Sequence, residues 1–122
     1  MPDFAEFLTR LPYELAFSEE PPEQIVDRYY APGMLHRSDG LTLDRQKLID
    51  HARPARKNTR ELQITVHELL VQGDRAAARY TMDVVMRKGR RLSFEIHVFA
   101  TLAPDGRVQQ AEALTRECAG ME

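Results

Sequence analysis

Four histidines, a set of strand-borne carboxylates and one cysteine are the side chains that could carry a reaction. His36, His51, His67 and His97 show no local metal-ligand spacing. His67-Glu68-Leu69-Leu70-Val71 opens like the zinc-protease pattern H-E-x-x-H, but it has no second histidine and strand patterning surrounds it. No metal and no cofactor are therefore expected. Cys118 stands alone, so an internal disulfide and a cysteine-based zinc cluster are both excluded, and nothing near it in sequence would activate the thiol. G-x-G-x-x-G, P-loop and G-x-S-x-G patterns are absent.

The densest group is Asp83, Glu95 and His97, with Arg79 and Thr81 beside them, all on one face of neighbouring strand-like runs. Inside a desolvated pocket the two carboxylates would split their pKa values, one keeping a proton while the other is charged. His97 would move a proton near neutral pH, and Arg79 and Thr81 would hold a developing oxyanion. Such a set suits proton abstraction beside a carbonyl, dehydration, or attack of water on an epoxide. Facing solvent, the same residues are an ordinary strand face whose cross-ladder pairs contribute little. His36 is a site candidate or a satisfied structural histidine. Tyr29 and Tyr30 are adjacent on a predicted helix, so one should face inward, as a pocket donor or as a core tyrosine bonded to a backbone carbonyl.

The elements that must position these groups are helices first and strands second. Pro2 and Asp3 start a helix with Phe4, Phe7, Leu8, Leu11 and Leu15 at helical spacing, which Pro12 should kink or split. Pro21-Pro22 opens a second helix with Ile25, Val26 and Tyr29 on its apolar stripe, closed by Pro32-Gly33. Met34 to Ser38 reads as a short strand. A third helix, capped by Thr42 or Asp44, buries Leu43, Leu48, Ile49 and Ala52 and should stop at Arg53-Pro54, leaving Arg53, Arg56, Lys57 and Arg60 in a loop. From Arg60 the period becomes two. Strands are expected over 60–72, 75–87, 91–103 and 107–117, broken by Gly73-Asp74, Lys88-Gly89-Arg90 and Pro104-Asp105-Gly106. A bulge near His67-Glu68 would bring Leu62, Ile64, Val66, Leu69 and Val71 to one face. That face continues with Tyr80, Met82, Val84, Phe94, Ile96 and Val98. The fold class is α+β, with helices on a strongly curved antiparallel sheet.

The 122 residues amount to one domain, 43% apolar and 30% charged, with a formal charge of −2. No field of one sign is available for nucleic acid or a membrane surface. The basic residues around Arg56 and around Arg87-Lys88 lack interleaved aromatics and read as solvated turns. No apolar run is long enough to span a bilayer, and no secretory signal opens the chain, so a cytoplasmic location is expected.

The order helix, helix, short strand, helix, four-strand meander resembles the nuclear transport factor 2-like superfamily, which includes SnoaL-like polyketide cyclases, ketosteroid isomerases, limonene epoxide hydrolases and scytalone dehydratases. The similar stretches are Tyr29-Tyr30-Ala31-Pro32-Gly33-Met34-Leu35-His36, Val66-His67-Glu68, Gly73-Asp74-Arg75, His97-Val98-Phe99 and Asp105-Gly106-Arg107-Val108. Pro12 and the long turn after Phe99 depart from the usual pattern. The resemblance implies a cone-shaped roll with a pocket of a few hundred Å³ between sheet and helices, expected to hold a small apolar, polyketide- or terpenoid-like molecule. It implies that His97 lies where ketosteroid isomerases place a pocket carboxylic acid. Asp83 lies where the epoxide hydrolases place a carboxylate, and Thr81 replaces their arginine. His36 and Ser38 match short-strand positions that carry tyrosine and asparagine there.

Periodicity alone packs the face with Tyr80, Met82, Phe94, Ile96 and Val98 onto the helices. The resemblance instead turns the polar face inward and covers the apolar face with a second copy of the chain. The second arrangement is the expectation taken here. Its site consists of His97, Asp83 and His36 as acid–base groups, with Ser38, Arg79, Thr81, Glu95, Tyr29 and Phe99 around the ligand. Its homodimer patch comprises Tyr80, Met82, Val84, Phe94 and Ile96. The functions open to this design are an acid–base isomerase, cyclase, dehydratase or epoxide hydrolase, a non-catalytic ligand-binding or dimerisation module, or an accessory domain acting through a protein partner.

Overall fold

A computed structural model describes residues 3–118. The first helix, α1 (Phe4–Phe17), starts where sequence places it. Asp3 is its cap: the carboxylate accepts the Glu6 N–H at 2.9 Å while the Glu6 carboxylate accepts the Asp3 N–H at 3.3 Å, a reciprocal box. Pro2 lies outside the described residues. Pro12 neither splits nor ends α1. An interior proline costs about 3 kcal/mol. Burial of Phe4, Phe7, Leu8, Leu11 and Leu15 along one stripe, at roughly 1.5–3 kcal/mol each, outweighs it.

The second helix, α2 (Pro22–Tyr29), ends earlier than expected, and Tyr30 already belongs to strand β1 (Tyr30–Ser38). The change of element turns both tyrosines inward: Tyr29 is 2% and Tyr30 3% exposed. Tyr29 donates to the Glu14 carboxylate at 2.8 Å, and Arg28 bridges Glu14 and Glu20 at 2.6 Å each. Tyr29 thus belongs to a clamp between α1 and α2.

A short β2 (Leu41–Leu43) leads to α3 (Arg45–Asn58), capped by Asp44, whose carboxylate accepts the Lys47 N–H at 3.0 Å. The helix runs through Pro54, so Arg53, Arg56 and Lys57 are helical rather than looped. Two forces extend it. Ile49 and Ala52 are buried, and Arg56 donates to the carbonyls of Leu15 (3.0 Å) and Glu20 (2.8 Å) at the end of α1 and just beyond it. Basic residues in the last turn also oppose the negative end of the helix dipole.

Strands β3 (Thr59–Gln72), β4 (Arg75–Met86), β5 (Arg91–Leu102) and β6 (Val108–Cys118) form the expected meander. Gly73, at φ 60°, supplies the left-handed position of the first hairpin. The bulge falls where anticipated, between Val66 and Glu68, so Val66 pairs with Tyr80 and Leu69 with Ala78 on one face. The six strands run in the order β2-β1-β6-β5-β4-β3. The β1–β6 pair is parallel, so the sheet is mixed rather than wholly antiparallel, and it is curled but not closed. Among the described residues no helix is long and apolar enough to cross a membrane.

The helices cover the even-numbered face of β4 and β5. Ala76, Ala78, Val98, Ala100, Ala111 and Ala113 pack there with Phe4, Phe7, Leu8, Ile25 and Val26 in one core. The small alanines let the aromatic side chains of α1 approach the sheet. Periodicity was therefore the better guide to orientation, and the expected polar-inward sheet is reversed. The apolar face excludes water, whereas a charged face would lose hydration it could not recover.

Candidate functional site

At one end of the inner sheet face the alanines give way to Tyr80, Met82 and Phe94, which the helices only partly bury. A cleft of about 470 Å³ opens there. Leu11, Pro12 and Leu15 of α1 and His51 and Ala55 of α3 form its roof. Leu62, Met82, Val84, Phe94 and Ile96 form its floor. Its polar groups are His36, Ser38, Asp39, His51, Thr59, Tyr80 and Thr115.

His36 sits on β1 opposite Ala111 of β6, whose small side chain leaves room above the sheet. Its Nδ1 lies 2.8 Å from the Tyr30 hydroxyl. Burial pushes the His36 imidazole below the ordinary histidine value, so the ring is neutral at neutral pH. Burial holds the Tyr30 phenol well above its usual value, with Tyr80 adding to the effect. Burial also pushes the Tyr80 phenol up to about 12. Both phenols keep their protons. Asp39, at the mouth, stands at φ 52°, a left-handed conformation that aspartate tolerates. Its Oδ1 accepts the Thr115 N–H at 2.8 Å, which ties the β1–β2 turn to β6. The cleft therefore has an apolar body, neutral donors along its sheet side and one exposed carboxylate at its rim.

Of the residues expected at the site, His36 and Ser38 line this cleft. His97, Asp83, Glu95, Arg79, Thr81 and Phe99 lie on the opposite face of the sheet, and Tyr29 is taken up by Glu14. The outer group is a charge ladder across strands. Arg79 contacts Glu68 at 3.0 Å and Glu95 at 3.9 Å, Arg116 contacts Glu95 at 3.3 Å, and His97 stands 3.8 Å from Glu95. The Arg116 guanidinium holds the Glu95 carboxyl below the usual carboxylate range. Asp83 Oδ1 is sealed without a partner among the described residues. Glu68 and Glu95 are paired with arginines and His97 is exposed, so this face is a surface charge ladder and not the wall of a closed pocket. The expected dimer patch of Tyr80, Met82, Val84, Phe94 and Ile96 is likewise inside, facing the helices.

The sequence expectation puts Tyr80 in the dimer patch and leaves His51 and Asp39 outside the candidate site. One signal was available for Tyr80: a lone hydroxyl in an otherwise apolar strand row must reach a partner or a cavity. His51 sits four residues before Ala55, on the edge of the stripe that roofs the cleft. A second hollow, of about 330 Å³, lies on the outer face between Phe99, Arg37, Arg75 and Glu112. It has charged walls and no helix above it. Among the described residues no group of three or more His, Cys, Asp or Glu is placed to hold a metal ion.

Comparison with solved structures places this architecture among the nuclear transport factor 2-like folds. AclR, a proposed hydroxylase from Streptomyces galilaeus, is 18% identical over 76% of this chain and 75% of its own, with a TM-score of 0.64. IdmH, a proposed polyketide cyclase from Streptomyces antibioticus, is 14% identical over 86% of each chain, at TM-score 0.65. A protein of ketosteroid isomerase-like fold from Catenulispora acidiphila, solved in complex with trimethylamine, is 6% identical over 90% of this chain and 82% of its own, at TM-score 0.63. No curated protein matches the sequence. The SnoaL-like domain family matches residues 12–111, from the proline that lines the cleft to the alanine opposite His36, and the chain belongs to that family.

Proposed function

We propose that this SnoaL-like chain binds a neutral, apolar, oxygen-bearing small molecule in the inner cleft and polarises its oxygen through His36 and Tyr80. The observation that carries the reading is the composition of the cleft: an apolar body with a neutral histidine and a protonated tyrosine on its sheet side. Uncharged donors in a site shielded from water stabilise negative charge as it develops on a carbonyl or epoxide oxygen. Isomerisation, cyclisation or epoxide opening all pass through such charge. Asp39, whose Oδ2 makes no hydrogen bond among the described residues, is the one carboxylate at the rim placed to take a proton. A thermal-shift panel of apolar ketones, epoxides and polyphenols tests the proposal, followed by turnover assays on any hit. A ketone or epoxide that stabilises the wild type and the His97→Gln variant but not His36→Gln supports it. Stabilisation lost in His97→Gln and kept in His36→Gln rejects it.

A homodimer through the outer face is part of the same proposal. Phe99 and Leu114 are 65% and 69% exposed, and they are diagonal neighbours on that face. Arg37, Arg75 and Glu112 surround Phe99, so the patch carries both signs of charge, as a self-complementary two-fold contact requires. Sedimentation should give a dimer for the wild type and a monomer for Phe99→Lys. A wild-type monomer at micromolar concentration contradicts the dimer and leaves the cleft untouched.

A further inference from the structure

The Tyr30–His36 contact determines more than the position of a ring. Tyr30 is buried, and its hydroxyl has one hydrogen-bond partner among the described residues, His36 Nδ1 at 2.8 Å. A buried hydroxyl that donates to nothing loses a hydrogen bond it had in water. Were Nδ1 protonated, it would donate to the Tyr30 oxygen and the phenolic proton would have no acceptor. Only with Nδ1 bare does the pair satisfy both groups. The imidazole proton then resides on Nε2. Nε2 has no protein partner among the described residues, and it is not among the sealed polar atoms, of which Asp83 Oδ1 is the sole case there. His36 lines the cleft, so Nε2 is open to it. The Tyr80 hydroxyl, without a hydrogen-bond partner among the described residues, meets the same two conditions.

We infer that Tyr30 is a positioning residue whose hydroxyl, by donating to Nδ1, fixes His36 as the Nε2–H tautomer, so that the cleft offers a neutral donor and selects its ligand by an acceptor oxygen. This deepens the proposed function and rests on it for the ligand, but the tautomer is independent of any ligand. His36 acts as an electrophile toward a carbonyl, ether or epoxide oxygen and not as the base of the site. A ligand presenting only a donor there, such as a protonated amine, would meet two donors face to face.

Two-bond proton–nitrogen correlation spectra of the uniformly ¹⁵N-labelled protein test the tautomer directly, with the His36 signals assigned by comparison with His36→Gln. The expected pattern at neutral pH is a protonated Nε2 and an unprotonated Nδ1 that accepts a hydrogen bond. In Tyr30→Phe the Nδ1 signal should move toward that of a free pyridine-type nitrogen, with mixing of the two tautomers. A wild-type His36 protonated at Nδ1, or a Tyr30→Phe spectrum unchanged at His36, overturns the inference. The wild-type spectrum decides the matter even where Tyr30→Phe does not fold. In the ligand arm, a bicyclic ketone, its parent hydrocarbon and the corresponding primary amine are titrated into the wild type. The ketone should bind about fivefold or more tightly than the hydrocarbon, as one net hydrogen bond provides, and the amine more weakly than the ketone. An amine that binds best overturns the selection by acceptor oxygen. If none of the three binds at millimolar concentration, the cleft reading fails while the tautomer result stands by itself.

Discussion

The two faces of one sheet carry similar chemical groups in opposite physical settings. On the inner face His36 is half-buried, bonded to a buried phenol and held neutral. On the outer face His97 is exposed and stands beside a carboxylate already claimed by two arginines. The inner face has few polar groups on an apolar lining, and the outer face has many, most of them reaching solvent. Reactive chemistry depends on the setting more than on the number of groups, because a hydrogen bond or a charge gains strength only where water does not compete. The sparse face is therefore the one on which the proposed function rests.

Neighbouring residues of β5 offer the sharpest way to break this contrast. Ile96→Asp places a carboxylate in the core and should cost about 3–5 kcal/mol, from lost apolar burial plus an unpaired polar group. One residue along, His97→Gln should change stability by no more than about 0.5 kcal/mol. Chemical denaturation measures both, and comparable losses at the two positions would dissolve the distinction between the faces.

The turns and long strands were legible because they are local: Gly73-Asp74 and Lys88-Gly89-Arg90 punctuate a period of two, and the break in that period at His67 located the bulge. Pro12 and Pro54 were misleading. Their cost is local, while the burial of Leu11 and Leu15, or of Ile49 and Ala52, depends on partners far along the chain. The parallel pairing of β1 with β6 joins residues more than seventy apart and leaves no periodic trace. The candidate site was legible in part: of the expected residues only His36 and Ser38 line the inner cleft, because likeness to relatives outweighed a periodicity that already showed which face was apolar. The Tyr30–His36 bond had no signal, since an irregularity in β1 between Tyr30 and Leu35 sets which side chains meet.

A smaller effect concerns acid. The folded-state pKa of His36 is lowered, so its contribution to stability is complete above the unfolded value near 6.5 and declines as pH falls from there toward its folded value. The slope has a ceiling of about 1.4 kcal/mol per pH unit. His36→Gln should flatten the stability–pH curve in that window, as followed by urea midpoints. An unchanged slope would mean that His36 is not desolvated.

The smallest effect belongs to the charge ladder. Arg116→Gln should let the Glu95 carboxyl rise toward its ordinary value, visible by carboxyl NMR titration, with no measurable shift of the melting midpoint. A clear loss of stability would show that the outer network is more than a solvated face.

The most direct test is to find which methyl groups a bound ligand touches. Intermolecular NOEs from the tightest-binding ketone of the panel to the methyl-labelled protein distinguish the two faces without any mutation. Contacts to Met82 and Ile96, with none to Leu70 and Leu114, are the result expected from an inner site. Contacts to Leu70 and Leu114 alone would put the ligand on the outer face and contradict the account.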